Sequence, residues 1–243
     1  MKNTYSIYKL RMNVVFRNAV LIIPIIATAA FIKMAYAVTP TQVSGSFLLS
    51  GVFLFLCMTF LAQCIQDREN DVHEEILLLH SKSDKNFYMS RELVLLSILL
   101  VFAIVLTFYP VMFSMRCDHV FSRPLEVNDV IFGGIIILSN GLCGFTLGDF
   151  FHQRIQNERK HRIILVIFFI LVSVCKTPLI HKFSAFKFLN ILLPPVVDAL
   201  DMVGDTDRFD KMGTIGIFIH SIIFAIVITL LKNVLLKKRK FNS

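Results

Sequence analysis

The chain has 243 residues, of which 56% are hydrophobic and only 17% are charged, and its mean hydropathy is +0.70. Because about a quarter of the residues of a soluble globular domain are charged, this composition excludes an ordinary soluble enzyme or binding domain and predicts an all-α polytopic membrane protein. The net charge of +8 is then explained by basic segments that flank membrane spans, and a nucleic-acid partner is not needed.

The N-terminal segment, residues 1–18, interleaves apolar side chains with Lys2, Lys9 and Arg11. A basic amphipathic helix of this kind is typical of a segment that lies in the membrane interface. We therefore expect an interface helix that leads directly into the first membrane span.

Six windows are apolar over the roughly 20 residues that a helix needs to cross a bilayer. They cover residues 19–37, 45–65, 93–113, 130–148, 163–180 and 212–231. A single span buries no core by itself, so the six predict one transmembrane domain that extends over residues 1–243. Residues 232–243 are expected to form a basic tail.

Most of the 25 Lys and Arg residues lie on one side of the membrane if the N-terminus is cytoplasmic. They are concentrated in the N-terminal segment, in residues 66–92, before the fifth span and in the C-terminal tail. The excess of positive charge in cytoplasmic segments predicts a multi-pass protein of the cell (plasma) membrane with both termini in the cytoplasm.

The segment 66–92 is a long polar run between two very hydrophobic segments. In it Val72, Ile76 and Leu79 have the i, i+4, i+7 spacing of one helix face, and acidic residues at its start suit the positive end of a helix dipole. The pattern predicts a short amphipathic helix outside the bilayer, with one face available to a partner.

The fourth span carries Gly134, Gly141 and Gly148 at intervals of seven residues, and Gly144 with Gly148 forms a GxxxG step. Small residues at this spacing let helix backbones approach closely in lipid. We expect the four glycines to pack against another helix, although the same face could line a substrate path.

Polar side chains within the spans are candidates for a substrate path, because such groups are costly in lipid. Asn140 in the fourth span and His220 in the sixth are the two candidates. His220 also fits a single interhelical hydrogen bond, and Lys176 at the outer end of the fifth span is expected to extend towards the interface.

The segment 181–211 is too long for a simple turn. Its apolar first part is broken by Pro194 and Pro195 and is followed by five aspartates. We expect two short re-entrant helices that enter the outer interface and return. The aspartates could bind a cation, but their spacing matches no calcium loop and favours a solvated face.

Catalytic motifs are absent from the sequence. His73 and Glu74 resemble the start of a HExxH zinc motif, but the next histidine is His80, two turns away instead of one. Neither GxSxG nor GxxxxGK[ST] occurs. We expect that the chain is not an enzyme, holds no cofactor or metal and does not itself hydrolyse ATP.

Together these features resemble the permease subunits of type-2 ABC exporters, the ABC-2-type membrane proteins. That family has an interface helix, six spans, cytoplasmic termini, a cytoplasmic coupling helix between spans two and three, and short re-entrant helices between spans five and six. The segment 66–92 is similar to its acidic, Leu-Leu, Ser pattern that ends in a basic residue; Lys82 stands where a proline usually follows. The matching residues are Asp67, Glu69, Glu75, Leu77, Leu78, Ser81 and Arg91.

The resemblance implies an exporter made of two permease copies, or two related ones, and two cytoplasmic ABC ATPase subunits that hold ATP and Mg²⁺. It also implies that the coupling segment binds the ATPase. The residues expected to do so are Asp67, Arg68, Glu69, Glu74, Glu75, Ile76, Leu77, Leu78, Leu79 and Arg91.

The 24 phenylalanines and the few polar groups in the spans favour an amphipathic or hydrophobic substrate. We expect a bacterial antimicrobial peptide or toxin, exported for secretion or expelled for self-immunity. Export of a lipid, a drug or a polysaccharide is an alternative. An alternative of another class is a membrane scaffold or sensor that docks a soluble partner through residues 66–92 without transport.

Overall fold

The computed structural model describes residues 2–68, 77, 84–117, 119–156, 158–182, 190, 193–203 and 207–238. These residues are helical over most of their length, and within them no β-strand occurs. The helices are α1 (Lys2–Arg17), α2 (Ile22–Ala35), α3 (Val43–Arg68), α4 (Asp84–Arg116), α5 (Val127–Phe150), α6 (Arg159–Lys182), α7 (Asp198–Met202) and α8 (Lys211–Lys238). The all-α prediction is confirmed for this part of the chain.

Within the described ranges, four helices are long and apolar enough to cross a membrane: α3, α4, α5 and α8. Helices α1 and α2 pass the same test together, but they bend by 68° at the break between them. The bend follows Ala19, whose φ of 53° ends the right-handed helix. The described part of the chain therefore holds four candidate spans, or five if the bent pair is one, where the sequence predicts six.

Helix α6 occupies the position predicted for the fifth span but is not among these four. Helix α6 carries five Lys and Arg residues, of which three precede the apolar run that begins at Ile163. These residues are Arg159, Lys160, Arg162, Lys176 and Lys182.

Helices α3 and α5 form the centre of the bundle and are the most buried of the four candidate spans. One apolar cluster joins them to α1 and α4, and a second joins them to α6, α8 and Val196. Their buried faces carry polar residues as well as apolar ones, such as Thr59 of α3 and Asn140 of α5, whereas exposed positions such as Phe60 and Ile131 are apolar.

The closest approach between α3 and α5 occurs at two glycines of α5. A Cβ atom on Gly144 would lie 2.9 Å from the Cα of Phe55, and one on Gly148 would lie 2.9 Å from the Cβ of Ala62. The main chains would have to separate to admit a side chain at either position. Thr59 Oγ1 also donates a hydrogen bond to the carbonyl of Gly144, at 3.0 Å.

The other two glycines of the pattern face different neighbours. Gly141 lies against the side chains of Leu54 on α3 and Leu99 on α4, and Gly134 lies against Thr107 on α4. The regular spacing in the sequence therefore corresponds to contacts with two helices.

Candidate functional site

Charged and polar side chains meet at one end of the bundle, where α3 and α5 end, α4 begins and α8 passes. We call this group the Asp149 cluster. Its members are Gln66, Arg91, Glu92, Asp149, His152 and Lys232.

Asp149 is the centre of the cluster. Its carboxylate lies 2.8 Å from the Arg91 Nε atom and accepts hydrogen bonds from Lys232 Nζ and from Gln66 Nε2, the latter at 3.0 Å. Lys232 also contacts the carboxylate of Glu92, and Arg91 Nη1 lies 2.8 Å from Nε2 of His152. Two cations and two carboxylates thus share one site.

The cluster is deeply buried. Asp149 is 1% exposed, and Arg91 and Lys232 are each 3% exposed. Removing a charge from water is costly, so such groups persist only when charge and hydrogen bonds compensate each other. Here the formal charges of Arg91, Glu92, Asp149 and Lys232 cancel.

The end of α5 is shaped by glutamine side chains of α3. Gln66 Nε2 donates to the main-chain carbonyl of Asp149 at 3.0 Å, and Gln63 Nε2 donates to the carbonyls of Gly148 and Phe151. These carbonyls lack partners within their own helix because the helix ends there. The close α3–α5 contact at Gly148 brings the glutamines within reach.

A second ionic contact joins the end of α3 to the start of α6. Asp67 forms ion pairs with Arg162, whose side chain is only 2% exposed, and with Arg159 at 3.2 Å. Both ends of the segment 66–92 are thus attached to the bundle: Gln66 and Asp67 at one end, and Arg91 and Glu92 at the other.

Leu77 lies inside the chain and not on its surface. It is 7% exposed and packs with Ile7 of α1, with Phe87 and Tyr88 of α4, and with Leu236 of α8. The expectation that Leu77 is a surface anchor for a partner therefore needs correction, because its apolar side chain is already covered within the protein.

Arg91 also differs from its expected role, since it is buried in the Asp149 cluster. Asp67 is engaged with α6, and Arg68 is exposed. The remaining predicted partner-binding residues lie outside the described residues. They are Glu69, Glu74, Glu75, Ile76, Leu78 and Leu79.

At the opposite end of the bundle, Asp207 caps α3 from a position 164 residues later in the chain. It accepts hydrogen bonds from the main-chain N–H groups of Val43, at 3.0 Å, and Ser44, at 2.9 Å, and from the hydroxyls of Ser44 and Ser122. Burial acts to raise the pKa of Asp207, but these hydrogen bonds outweigh it and hold the pKa below its usual value.

The expectation of a solvated acidic face is wrong for Asp207 and for Asp198, which pairs with Lys176 at 2.9 Å. Asp210 is exposed, as expected, and accepts from the N–H of Gly213 at the start of α8. The Lys176 side chain is 0% exposed. It does not extend to the interface as predicted, because a carboxylate reaches it inside.

The two candidates for a substrate path occupy different surroundings. Asn140 is buried on α5 and donates from Nδ2 to the carbonyl of Val196 at 3.1 Å, while its amide also lies against Gly51 of α3. His220 is half-buried on α8. Asn140 therefore ties the segment that precedes α7 to the bundle.

Comparisons with family models, with curated proteins and with solved structures found no match to this chain. Among the described residues, no group of three or more His, Cys, Asp or Glu side chains is arranged to hold a metal ion. The Asp149 cluster consists of mutually compensating charges that connect α3, α4, α5 and α8.

Proposed function

We propose that this chain is the permease subunit of a bacterial, ATP-driven type-2 ABC exporter in the plasma membrane. In this proposal the six spans are residues 19–37, which contain α2, and helices α3, α4, α5, α6 and α8; α1 is the interface helix, and both termini are cytoplasmic. Residues 66–92 dock a cytoplasmic ABC ATPase, and a second permease copy completes the transporter.

The observation that supports the proposal best is the attachment of both ends of the 66–92 segment to the bundle. Gln66 and Asp67 connect its start to α5 and α6. Arg91 and Glu92 connect its end to α5 and α8. A force applied to the segment would therefore reach three helices that are distant from it in sequence.

The proposed mechanism uses these attachments. When ATP binding closes the ATPase subunits, they displace the 66–92 segment, and the ion pairs transmit this displacement to α5, α6 and α8. Helices α3 and α5 move as one body because their main chains are in contact at Gly144 and Gly148. Packed interfaces of this kind switch between discrete arrangements and do not deform continuously.

The proposed substrate is an amphipathic or hydrophobic molecule, and we favour an antimicrobial peptide or toxin. Two observations support this. The grooves between α4, α5 and α8 are lined almost entirely by apolar side chains such as Leu100, Leu138 and Ile222. The buried polar groups Asn140 and Lys176 are engaged in holding residues 196–198.

The test is co-purification of a cytoplasmic ABC ATPase with this chain from its native membranes, followed by pull-down and by transport in liposomes. Replacing Glu74 and Glu75 together by lysine should weaken binding, and more strongly at low salt, because exposed charges are screened over about 8–10 Å at moderate ionic strength. Glu158→Lys is the matched control, since it reverses an exposed charge outside the segment.

Full ATPase binding and full transport by the Glu74→Lys, Glu75→Lys variant would contradict the docking role of this segment. If the Glu74→Lys, Glu75→Lys variant and the Glu158→Lys variant both lost binding, the loss would follow from the change in net charge. That result would also refute a specific docking role for residues 66–92.

A further inference from the structure

An apolar groove of about 620 Å³ lies between α1, α2 and α4. Its walls include Met12 and Phe16 of α1, Ile25 and Ala29 of α2, and Val101 of α4. The groove exists because the 68° bend after α1 directs α2 away from it. Its volume is in the range of roughly 300–1,000 Å³ that is usual for sites of small ligands.

Separate contacts hold the walls apart. The rings of Phe31 on α2 and Phe53 on α3 stack at 4.2 Å, which fixes α2 to the centre of the bundle. Helix α1 is fixed to α4 by the hydrogen bond between Tyr8 OH and Ser97 Oγ, at 3.1 Å. The groove cannot close by a simple approach of α1 to α2, since each is bound to a different partner.

The lining offers little to a polar ligand. The hydroxyl of Thr28 donates to the carbonyl of Pro24 at 2.7 Å, and that of Ser97 donates to the carbonyl of Leu93 at 2.7 Å. With these groups satisfied internally, the groove presents hydrocarbon. An occupant must therefore be an apolar chain over the length that it inserts.

Two exposed basic residues of α1 are sequence neighbours of residues that line the groove. Lys9 follows Tyr8, which lines the groove, Arg17 follows Phe16, and both basic residues are exposed. No Asp or Glu precedes Asp67 in the sequence, so no acidic residue of α1 or α2 offsets these charges. An occupant with a negative head group next to its apolar chain matches this distribution.

We propose that the groove binds one acyl chain of an anionic phospholipid, whose phosphate lies next to Arg17. A second copy of this chain is a poor occupant, because a symmetric interface would bring the same basic helix of each copy to the same contact without an acidic counterpart. The proposal requires a membrane location but does not depend on the transport function.

The test is native mass spectrometry of the purified chain, incubated in detergent with phosphatidylglycerol or with phosphatidylcholine. We expect one retained phosphatidylglycerol per chain and weaker retention of phosphatidylcholine. Arg17→Gln should lower the affinity for phosphatidylglycerol about fivefold, which corresponds to one basic residue near an anionic surface, and should leave phosphatidylcholine unchanged. Lys33→Gln, which removes one charge near the far end of α2, should change neither.

Ala29→Phe fills the groove and should remove the retained lipid. The matched control is Ala30→Phe, which places the same ring on the neighbouring exposed position outside the groove lining. Equal retention of the two phospholipids, or equal retention by the Ala29→Phe and Ala30→Phe variants, would overturn the proposal. So would a change of oligomeric mass caused by Ala29→Phe, because the groove would then be an interface between protein chains.

Discussion

Replacing Asp149 by asparagine removes one charge from the Asp149 cluster without changing the shape of the side chain. Gln66 Nε2 can still donate to the amide oxygen at the position where it now donates to the carboxylate at 3.0 Å. Arg91 and Lys232 remain, with Glu92 as their only carboxylate in the cluster. The variant therefore isolates the effect of one uncompensated positive charge in a buried site.

The expected loss is large because the site is almost inaccessible to water. At the 2.8 Å separation of Arg91 Nε and Asp149 Oδ1, the attraction between unit charges is about 6 kcal/mol for an effective dielectric constant near 20. Part of this only offsets desolvation, and loss of one partner of a buried pair costs about 3–5 kcal/mol. We expect Asp149→Asn to lower the free energy of unfolding by that amount.

The assay is reversible unfolding in mixed micelles, followed by circular dichroism. Adding Lys232→Met to Asp149→Asn restores the charge balance, so the double variant should lose about 0.5–3 kcal/mol less than the sum of the single losses. Glu158→Gln is the control and should stay within about 0.5 kcal/mol of the unmodified chain. Two results would refute the charge compensation within the Asp149 cluster: strictly additive losses in the double variant, or a loss from Asp149→Asn no larger than that from Glu158→Gln.

Three further predictions concern packing and capping. Gly148→Leu should lower the free energy of unfolding by about 1–3 kcal/mol or more and reduce assembly, because it forces α3 and α5 apart. The control is Gly216→Leu, which should have little effect because Gly216 has open space around it. Equal effects of the two substitutions would contradict the close contact between α3 and α5. Leu77→Ala should cost about 2–5 kcal/mol in the same unfolding assay, as for a core residue, and a loss below about 0.5 kcal/mol would place Leu77 on the surface. The pKa of Asp207 is lowered in the folded chain, so its contribution to the free energy of unfolding is complete above the unfolded pKa of about 3.9 and is lost as the pH falls through the folded pKa. Asp207→Asn should therefore destabilise the chain at pH 7, and the difference in stability from the unmodified chain should be smaller at pH 3. A difference that is the same at both pH values would contradict the capping role of Asp207.

The helices themselves could be predicted from the sequence, because their apolar runs are long and their ends coincide with polar residues. The exact spans were harder to define. Helix α2 has only 14 residues, and α8 continues beyond the predicted span to Lys238. Propensity does not locate the bend at Ala19, since alanine rarely adopts a positive φ.

The Asp149 cluster was missed for a physical reason. Asp149 and Lys232 stand at the ends of apolar runs, where charged side chains usually extend into the interface. Asp149 and Lys232 are 83 residues apart in the sequence, so no local pattern identifies them as a pair. The one signal in the sequence is that an acidic residue, Asp149, directly follows Gly148, the last of the four glycines of α5.

The role of Leu77 shows the limit of amphipathic patterns. Spacing indicates that one face of a helix is apolar, but it does not tell whether that face covers a partner or the chain itself. Here α1, α4 and α8 supply the cover. The glycine spacing was more informative, because a missing side chain allows a close contact whichever helix provides it.

The central claim is that the 66–92 segment contacts a cytoplasmic ABC ATPase. The most direct measurement is photocrosslinking from a photoreactive amino acid placed at Glu75, with placement at Arg208 as the control, in the native membranes of the source cell. Arg208 lies at the opposite end of the bundle, where it pairs with Glu126. The account predicts a crosslink to the ATPase from position 75 and none from position 208; no crosslink from position 75, or equal crosslinking from both, would contradict it.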